Sequence, residues 1–283
     1  MRKFNTAIVG ATGAVGQEFL RLIEERNFPF GELKMLASSR SAGKKINFMG
    51  KEYTVEETTE KSFDGVQFAL FAGGAASKLF APAAVKAGAV VIDNSSNFRM
   101  DPEVPLVVPE VNPQAIAQHK GIIANPNCST IIMVMALKPL YNLSKIKRVV
   151  VSTYQAVSGA GREGMDELKS QLDSLARGEE VTAKVLPVAK LDKHYQIASN
   201  LIPQIDIFMD NLYTKEEMKM VDETKKIMRT TRLKSLRRQS ACPFIAVMPS
   251  PSTSSLKAKF RLKRLAPLWK NFRASLFATI PTK

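Results

Sequence analysis

A short apolar segment, residues 4–10 (Phe-Asn-Thr-Ala-Ile-Val-Gly), runs into the turn Gly10-Ala11-Thr12-Gly13-Ala14-Val15-Gly16. An amphipathic stretch from Val15 to Glu25 comes next, with Phe19, Leu20 and Ile23 on one helical face. This order of strand, glycine turn and helix limits what the chain can fold into. Glycines at i, i+3 and i+6 allow a sharp turn and a close approach of backbone to a pyrophosphate, which then rests on the helix N-terminus. The spacing is not the commoner G-x-G-x-x-G, so its weight comes from its place between strand and helix. A tight structural turn is the competing reading.

The pattern then repeats along the chain. Leu33 to Ala37, Val66 to Ala72 and Ala89 to Asp93 read as strands, and Ser77 to Lys86 as an Ala-rich helix; Val104 to Val108 and Gly121 to Ala124 extend the sheet. Alternating strands and helices predict an α/β fold with a Rossmann-like, doubly wound parallel sheet. At the end of the second strand, sites for NAD usually place a carboxylate against the ribose 2′-OH. This chain has Ser38-Ser39-Arg40-Ser41 there. A guanidinium among hydroxyls suits a 2′-phosphate, so NADP is the expected cofactor, held by Gly10, Thr12, Gly13, Ala14, Val15, Gly16, Ser39, Arg40 and Ser41. A solvated surface cation is the plainer reading of Arg40.

Asn125-Pro126-Asn127-Cys128-Ser129-Thr130 precedes the apolar run Ile131 to Leu137, which reads as a buried helix capped by Asn127. A thiol in the first turn of a helix feels the positive end of the dipole, which favours the thiolate. Cys128 is therefore the candidate nucleophile, although a cysteine at such a position is more often a buried structural residue. Beyond it the character changes. Lys147 to Tyr154 is strand-like, Gly164 to Arg177 is an amphipathic helix, and Tyr213 to Met228 is a charged helix opened by Thr214, with Glu216 and Glu217 in its first turn. This second part predicts an α+β domain.

The formal charge of +15 suggests nucleic acid until it is located. Of 41 Lys and Arg, 13 lie between Arg229 and Lys283, with no Asp, Glu or Gly; the preceding residues hold 28 basic and 26 acidic groups, a net of +2. The chain therefore divides into 1–127, a cofactor-binding domain; 128–228, a second domain that opens on Cys128; and 229–283, a basic tail without periodicity, expected to lack order. No apolar run approaches the roughly 20 residues of a membrane span. Ile8-Val9-Gly10-Ala11 is too short and too glycine-rich for a signal core, so a cytoplasmic location is expected. The two cysteines make no disulfide framework, and no metal site is expected.

Taken in order, the glycine turn, the Ser-Ser-Arg-Ser corner and Asn-Pro-Asn-Cys128-Ser-Thr resemble the bacterial aspartate-semialdehyde dehydrogenases. So do Asp93-Asn94-Ser95-Ser96-Asn97-Phe98-Arg99, Pro109-Glu110-Val111-Asn112, Thr153 to Gly161 and Asn200 to Asp206. The resemblance runs from Met1 to about Met228. It implies NADP-dependent reductive dephosphorylation of L-aspartyl 4-phosphate to aspartate 4-semialdehyde, in lysine, threonine, methionine, isoleucine and diaminopimelate biosynthesis. Cys128 then corresponds to the nucleophile that forms a thioester, and Gln155 to the residue that orients the acyl group. Arg99 and Lys219 correspond to phosphate ligands, Glu216 and Asn127 to further substrate-side residues, and Ser158-Gly159 to a second cofactor loop. The resemblance also implies a homodimer and a small-molecule substrate, and makes 128–228 the α+β substrate, catalytic and dimerisation domain, incomplete here.

The family's substrate domain continues to an Arg-Gly-His-like motif, whose histidine is the general acid–base and whose nearby arginine grips the substrate carboxylate. This chain has neither in that setting; its two histidines, His119 and His194, read as surface or structural residues. The abrupt onset of the tail reads as translation in a shifted frame, which implies an impaired enzyme. The alternatives are a non-catalytic NADP-binding remnant, or nucleic-acid contact through Arg237-Arg238, Lys257 to Arg264 and Trp269-Lys270, although such charge runs are usually only solvated. A related acyl-phosphate reductase, the acetylglutamyl type, shares the thioester logic but fits Asn127 to Thr130 and Pro203 to Asp206 less well.

Overall fold

The computed structural model describes residues 2–230, 234–243 and 252–256. β1 (Phe4–Val9) is buried from Thr6 onward, and the glycine turn delivers the chain into α1 (Ala14–Glu25), which returns Leu20 and Ile23 to the core. β2 (Phe30–Ala37) then pairs in parallel with β1. Next comes a hairpin that the strand and helix pattern of the sequence does not predict, β3 (Lys45–Phe48) and β4 (Lys51–Thr54). Its two turn residues, Met49 and Gly50, both take positive φ, the twist a tight hairpin requires.

β5 (Glu56–Glu57), β6 (Phe68–Phe71), α2 (Gly74–Lys86), β7 (Val90–Asp93) and β8 (Ile122–Ala124) complete a six-stranded sheet in the order β5-β2-β1-β6-β7-β8. All of its pairings are parallel, as the βα alternation predicts. The strand order turns back at β1, so a crevice opens beyond its carboxyl end, where the glycine turn lies. Val104 to Val108 does not form the expected strand and contributes a single bridge, Leu106 to Ala124. Pro105 has no N–H to give to a ladder. The Asn112 side chain also takes up the N–H of Val108 and the carbonyl of Leu106.

The second half starts at Cys128 with α3 (Cys128–Leu143), followed by β9 (Ile146–Ala156), α4 (Gly161–Ala176) and α5 (Lys215–Met228). Thr214 caps α5 and shares a capping box with Glu217, as the sequence predicts. β9 is the centre of a three-stranded sheet, with β10 (Lys234–Cys242) parallel on one edge and β11 (Ser252–Leu256) antiparallel on the other. Both outer strands fall within the segment expected to lack order. The long, β-branched β9 presents two edges whose N–H and C=O groups need partners, and these strands supply them. The remainder of that segment lies outside the described residues.

α5 joins the two halves. Met220 packs with Met133, Leu137, Val149 and Val151. Ile227 and Met228 pack with Val104, Leu106 and Val108 of the cofactor half. Among the described residues, no helix is long and apolar enough to cross a membrane.

Candidate active site

Asn127 ends the extended chain after Pro126 and caps α3, its Oδ1 accepting from the N–H groups of Ser129 (3.0 Å) and Thr130 (3.4 Å). Cys128 is the first residue of that helix and is open to solvent at a cleft of about 670 Å³ between the two halves. Arg99, Asn127, Gln155, Glu216 and Lys219 line the same cleft. Each is delivered by a different rule. Arg99 sits on the loop after β7, Gln155 near the end of β9, and Glu216 and Lys219 on the first turns of α5.

The polar groups are tightly wired. Asn127 Nδ2 donates to Glu216 Oε1 at 2.6 Å, and Lys219 Nζ donates to Glu216 Oε2 at 2.8 Å. Asp206 Oδ2 lies 3.5 Å from the same ammonium. The Arg99 guanidinium donates from Nε to Asn125 O (2.9 Å), from Nη2 to Asn94 O (3.0 Å) and from Nη1 to Glu223 Oε1 (3.1 Å). Gln155 accepts from Thr153 Oγ1 at 3.1 Å through its oxygen, so its NH₂ is the group left for a carbonyl.

The cofactor residues divide. Val15, from the start of α1, and Ser158 and Gly159, from the turn after β9, line the cleft. Gly10, Thr12, Gly13, Ala14 and Gly16 form the adjoining cradle, in which Gly10 takes φ +89 and a Cβ on Gly16 would stand 2.2 Å from Gly10 O. Only glycine tolerates either condition. No side chain caps α1, which leaves the cradle's first-turn N–H groups open to an anion. Ser39, Arg40 and Ser41 form a short turn after β2, and Thr12 Oγ1 reaches Ser41 Oγ at 3.4 Å, tying that corner to the cradle.

Two family models match the chain: "Semialdehyde dehydrogenase, NAD binding domain" over residues 5–119, and "Semialdehyde dehydrogenase, dimerisation domain" over residues 137–273. The aspartate-semialdehyde dehydrogenase of Bacillus subtilis is 58% identical over 228 residues, 80% of this chain and 66% of that protein. The Campylobacter jejuni enzyme is 50% identical over 258 residues, 89% of this chain and 72% of that protein. The crystal structure of aspartate semialdehyde dehydrogenase II from Vibrio cholerae superimposes with a TM-score of 0.90 at 46% identity, covering 95% of this chain and 79% of that one. A second structure of that enzyme, complexed with ASA, gives 0.90 at 45% identity. The chain belongs to the aspartate-semialdehyde dehydrogenase family. It spans about two-thirds of the length of the curated relatives it matches.

Within this family member two influences act on the Cys128 thiol in opposite directions. Position at the start of α3 favours the Cys128 thiolate, yet the thiol is pushed up from its ordinary value. Although the residue is exposed on one side, desolvation of the thiol by the cleft walls is the main cause and the Glu216 carboxylate adds to it; the Ser129 hydrogen bonds and Arg99 pull the other way without prevailing. For Lys219, burial lowers the pKa, but Glu216 and Asp206 outweigh it and the ammonium is held above its usual range. Among the described residues no histidine lines the cleft. His119 accepts from the Gly121 N–H, and His194 is half-buried.

Sequence reasoning missed Glu223, Asp206 and Lys226. Glu223 and Lys226 had a signal: with Glu216 and Lys219 they repeat at three, four and three residues along α5, which is one helical face. Asp206 is close only because the connection before α5 folds back on it.

Proposed function

We propose that the cleft carries out the aspartate-semialdehyde dehydrogenase reaction: NADP-dependent reductive dephosphorylation of L-aspartyl 4-phosphate to L-aspartate 4-semialdehyde. The observation that carries this reading is the convergence of one thiol, one arginine fork, one carboxylate–ammonium pair and one amide on a single cleft that adjoins a glycine cradle. The Cys128 sulfur, as thiolate, attacks the acyl carbon. The C–O bond to phosphate breaks, phosphate leaves with the electron pair, and a thioester remains on Cys128. Arg99 and Lys219 receive the phosphate, Glu216 and Asn127 face the amino-acid end, and the Gln155 NH₂ holds the acyl oxygen. Gly10 to Gly16 and Ser158-Gly159 would hold a dinucleotide, which when bound would supply the hydride chemistry that reduces a thioester. Collapse of the resulting hemithioacetal releases the aldehyde and returns the thiolate.

The Ser39-Arg40-Ser41 corner, with no carboxylate, supports NADP over NAD. The pathway placement, the homodimer and the cytoplasmic location follow from family membership and belong to the same proposal. That no histidine lines the cleft among the described residues favours an impaired enzyme, close to an NADP-binding remnant. The test is NADPH formation from aspartate semialdehyde. A slow, phosphate-dependent rate that disappears in Cys128→Ser is expected. A rate independent of phosphate, or one that survives that substitution, overturns the reading.

A further inference from the structure

Glu223 is 1% exposed and projects from α5 into the junction between the two halves. One carboxylate oxygen accepts from Arg99 Nη1 at 3.1 Å; the other accepts from the backbone N–H of Asn127 at 2.7 Å. A buried carboxylate is costly unless such partners satisfy it. Here the two partners belong to different pieces of the site: the guanidinium that faces the anion, and the residue immediately before the nucleophile. Arg99 is fixed at two further points, by Asn125 O and Asn94 O, which leaves one N–H on each terminal nitrogen for a ligand. One helical turn on, Lys226 Nζ donates to the carbonyls of Arg99 (2.7 Å), Asp101 (2.6 Å) and Val104 (2.8 Å), holding the Arg99 loop against the same helix.

We propose that Glu223 is a positioning residue that sets the Arg99 fork relative to the Cys128 turn, so that an acyl phosphate seated by its phosphate group presents its acyl carbon to the sulfur. The proposal rests on the acyl-phosphate reading of the cleft. Charge and geometry make opposite predictions for it. If Glu223 were merely a counter-charge, its neutralisation would free Arg99 and tighten anion binding. If it positions the fork, neutralisation loosens binding, because the two partners donate to different oxygens and an amide puts an NH₂ donor in place of one of them.

The experiment uses the full chain and inorganic phosphate, reading the slowing of Cys128 alkylation by iodoacetamide as phosphate is titrated. Phosphate is expected to protect the native chain. Glu223→Gln should raise the half-protecting concentration by about tenfold, and Glu223→Asp, which keeps the charge but shortens the reach, should raise it less. In an Arg99→Ala background, where Lys219 supplies residual protection, Glu223→Gln should shift it by less than about twofold. A purely structural role would not depend on Arg99. Unchanged or tighter protection in both Glu223 variants overturns the proposal, as does an equal shift in the Arg99→Ala background. If phosphate fails to protect the native chain, the acyl-phosphate reading falls and the proposal falls with it. The two failures are thus distinct.

Discussion

The cofactor half and the substrate half of this protein use their glycines and charges in opposite ways. In the first half the decisive groups are absences. Gly10 and Gly16 work because no Cβ is there, and α1 presents bare N–H groups because no side chain caps it. In the second half they are presences: α5 carries Glu216, Lys219, Glu223 and Lys226 on one face, each engaged by a named partner. A cradle built from missing atoms is complete in itself. A cleft built from paired side chains depends on every contributor, so a change in any one of them is felt by the rest. That contrast can be broken or sharpened experimentally.

The largest expected effect concerns general acid–base assistance, because no histidine lines the cleft among the described residues. General acid–base assistance is worth about a hundred- to ten-thousand-fold. Semialdehyde oxidation by this chain should therefore run at least about a hundredfold below an intact relative. The genetic code makes the cause checkable. Ile245-Ala246-Val247-Met248 can be encoded as ATC-GCG-GTC-ATG, and from the third base of the Ile245 codon those bases read Arg-Gly-His. Sequencing the coding DNA is expected to show those codons, and restoring that frame after Met228 should return the missing turnover. Codons incompatible with Arg-Gly-His, or near-normal turnover without repair, would remove the frame-shift reading.

Next is the cofactor corner. Arg40→Ala should weaken NADP binding by about 1.5–3 kcal/mol and leave NAD binding nearly unchanged. Equal losses for the two dinucleotides, measured by calorimetry, would defeat the 2′-phosphate assignment. Because the cradle is complete in itself, this result should hold even if the chain is catalytically poor.

Two stability changes compare the halves directly. Gly16→Ala places a Cβ 2.2 Å from Gly10 O and should cost about 1–3 kcal/mol while weakening both dinucleotides. Thr214→Ala removes the α5 capping box and should cost about 1 kcal/mol, disturbing Glu216 and Lys219 without touching the cradle. Urea unfolding gives both numbers. Dinucleotide affinity that falls equally in the two variants would mean the halves are not separable.

The smallest effect is in the thiol. Because burial and Glu216 push the Cys128 thiol up, its alkylation should accelerate as pH rises through a midpoint above the ordinary thiol range. Glu216→Gln removes only the second cause, so the midpoint should move down and remain raised. Cys242 is buried and its thiol is likewise pushed up by burial, so Cys128 should be labelled first. Peptide mapping after alkylation decides between them. Faster labelling of Cys242, or an unmoved midpoint in Glu216→Gln, would count against the electrostatics described.

The sequence determined by itself whatever depends on neighbours along the chain. Strand, glycine turn and helix, the Asn127 cap, the Thr214 capping box and the βα alternation are set by residues a few positions apart, and each is found where the sequence predicts it. The motif residues Cys128, Gln155, Arg99, Glu216 and Lys219 were likewise legible, and they converge on one cleft. Tertiary structure decided what distance in sequence conceals. Asn112 side-chain bonds override the strand pattern of Val104 to Val108. β9 imposes strand on residues whose composition suggests none. The Cys128 thiol, favoured as thiolate by its helix, is pushed the other way by the walls of a cleft and by a carboxylate 88 positions on. Glu223 meets Arg99 and Asn127 only once the two halves close on α5. Caps and turns are short-range and saturate locally, whereas desolvation and buried ion pairs depend on everything that surrounds a group, which only the folded chain assembles.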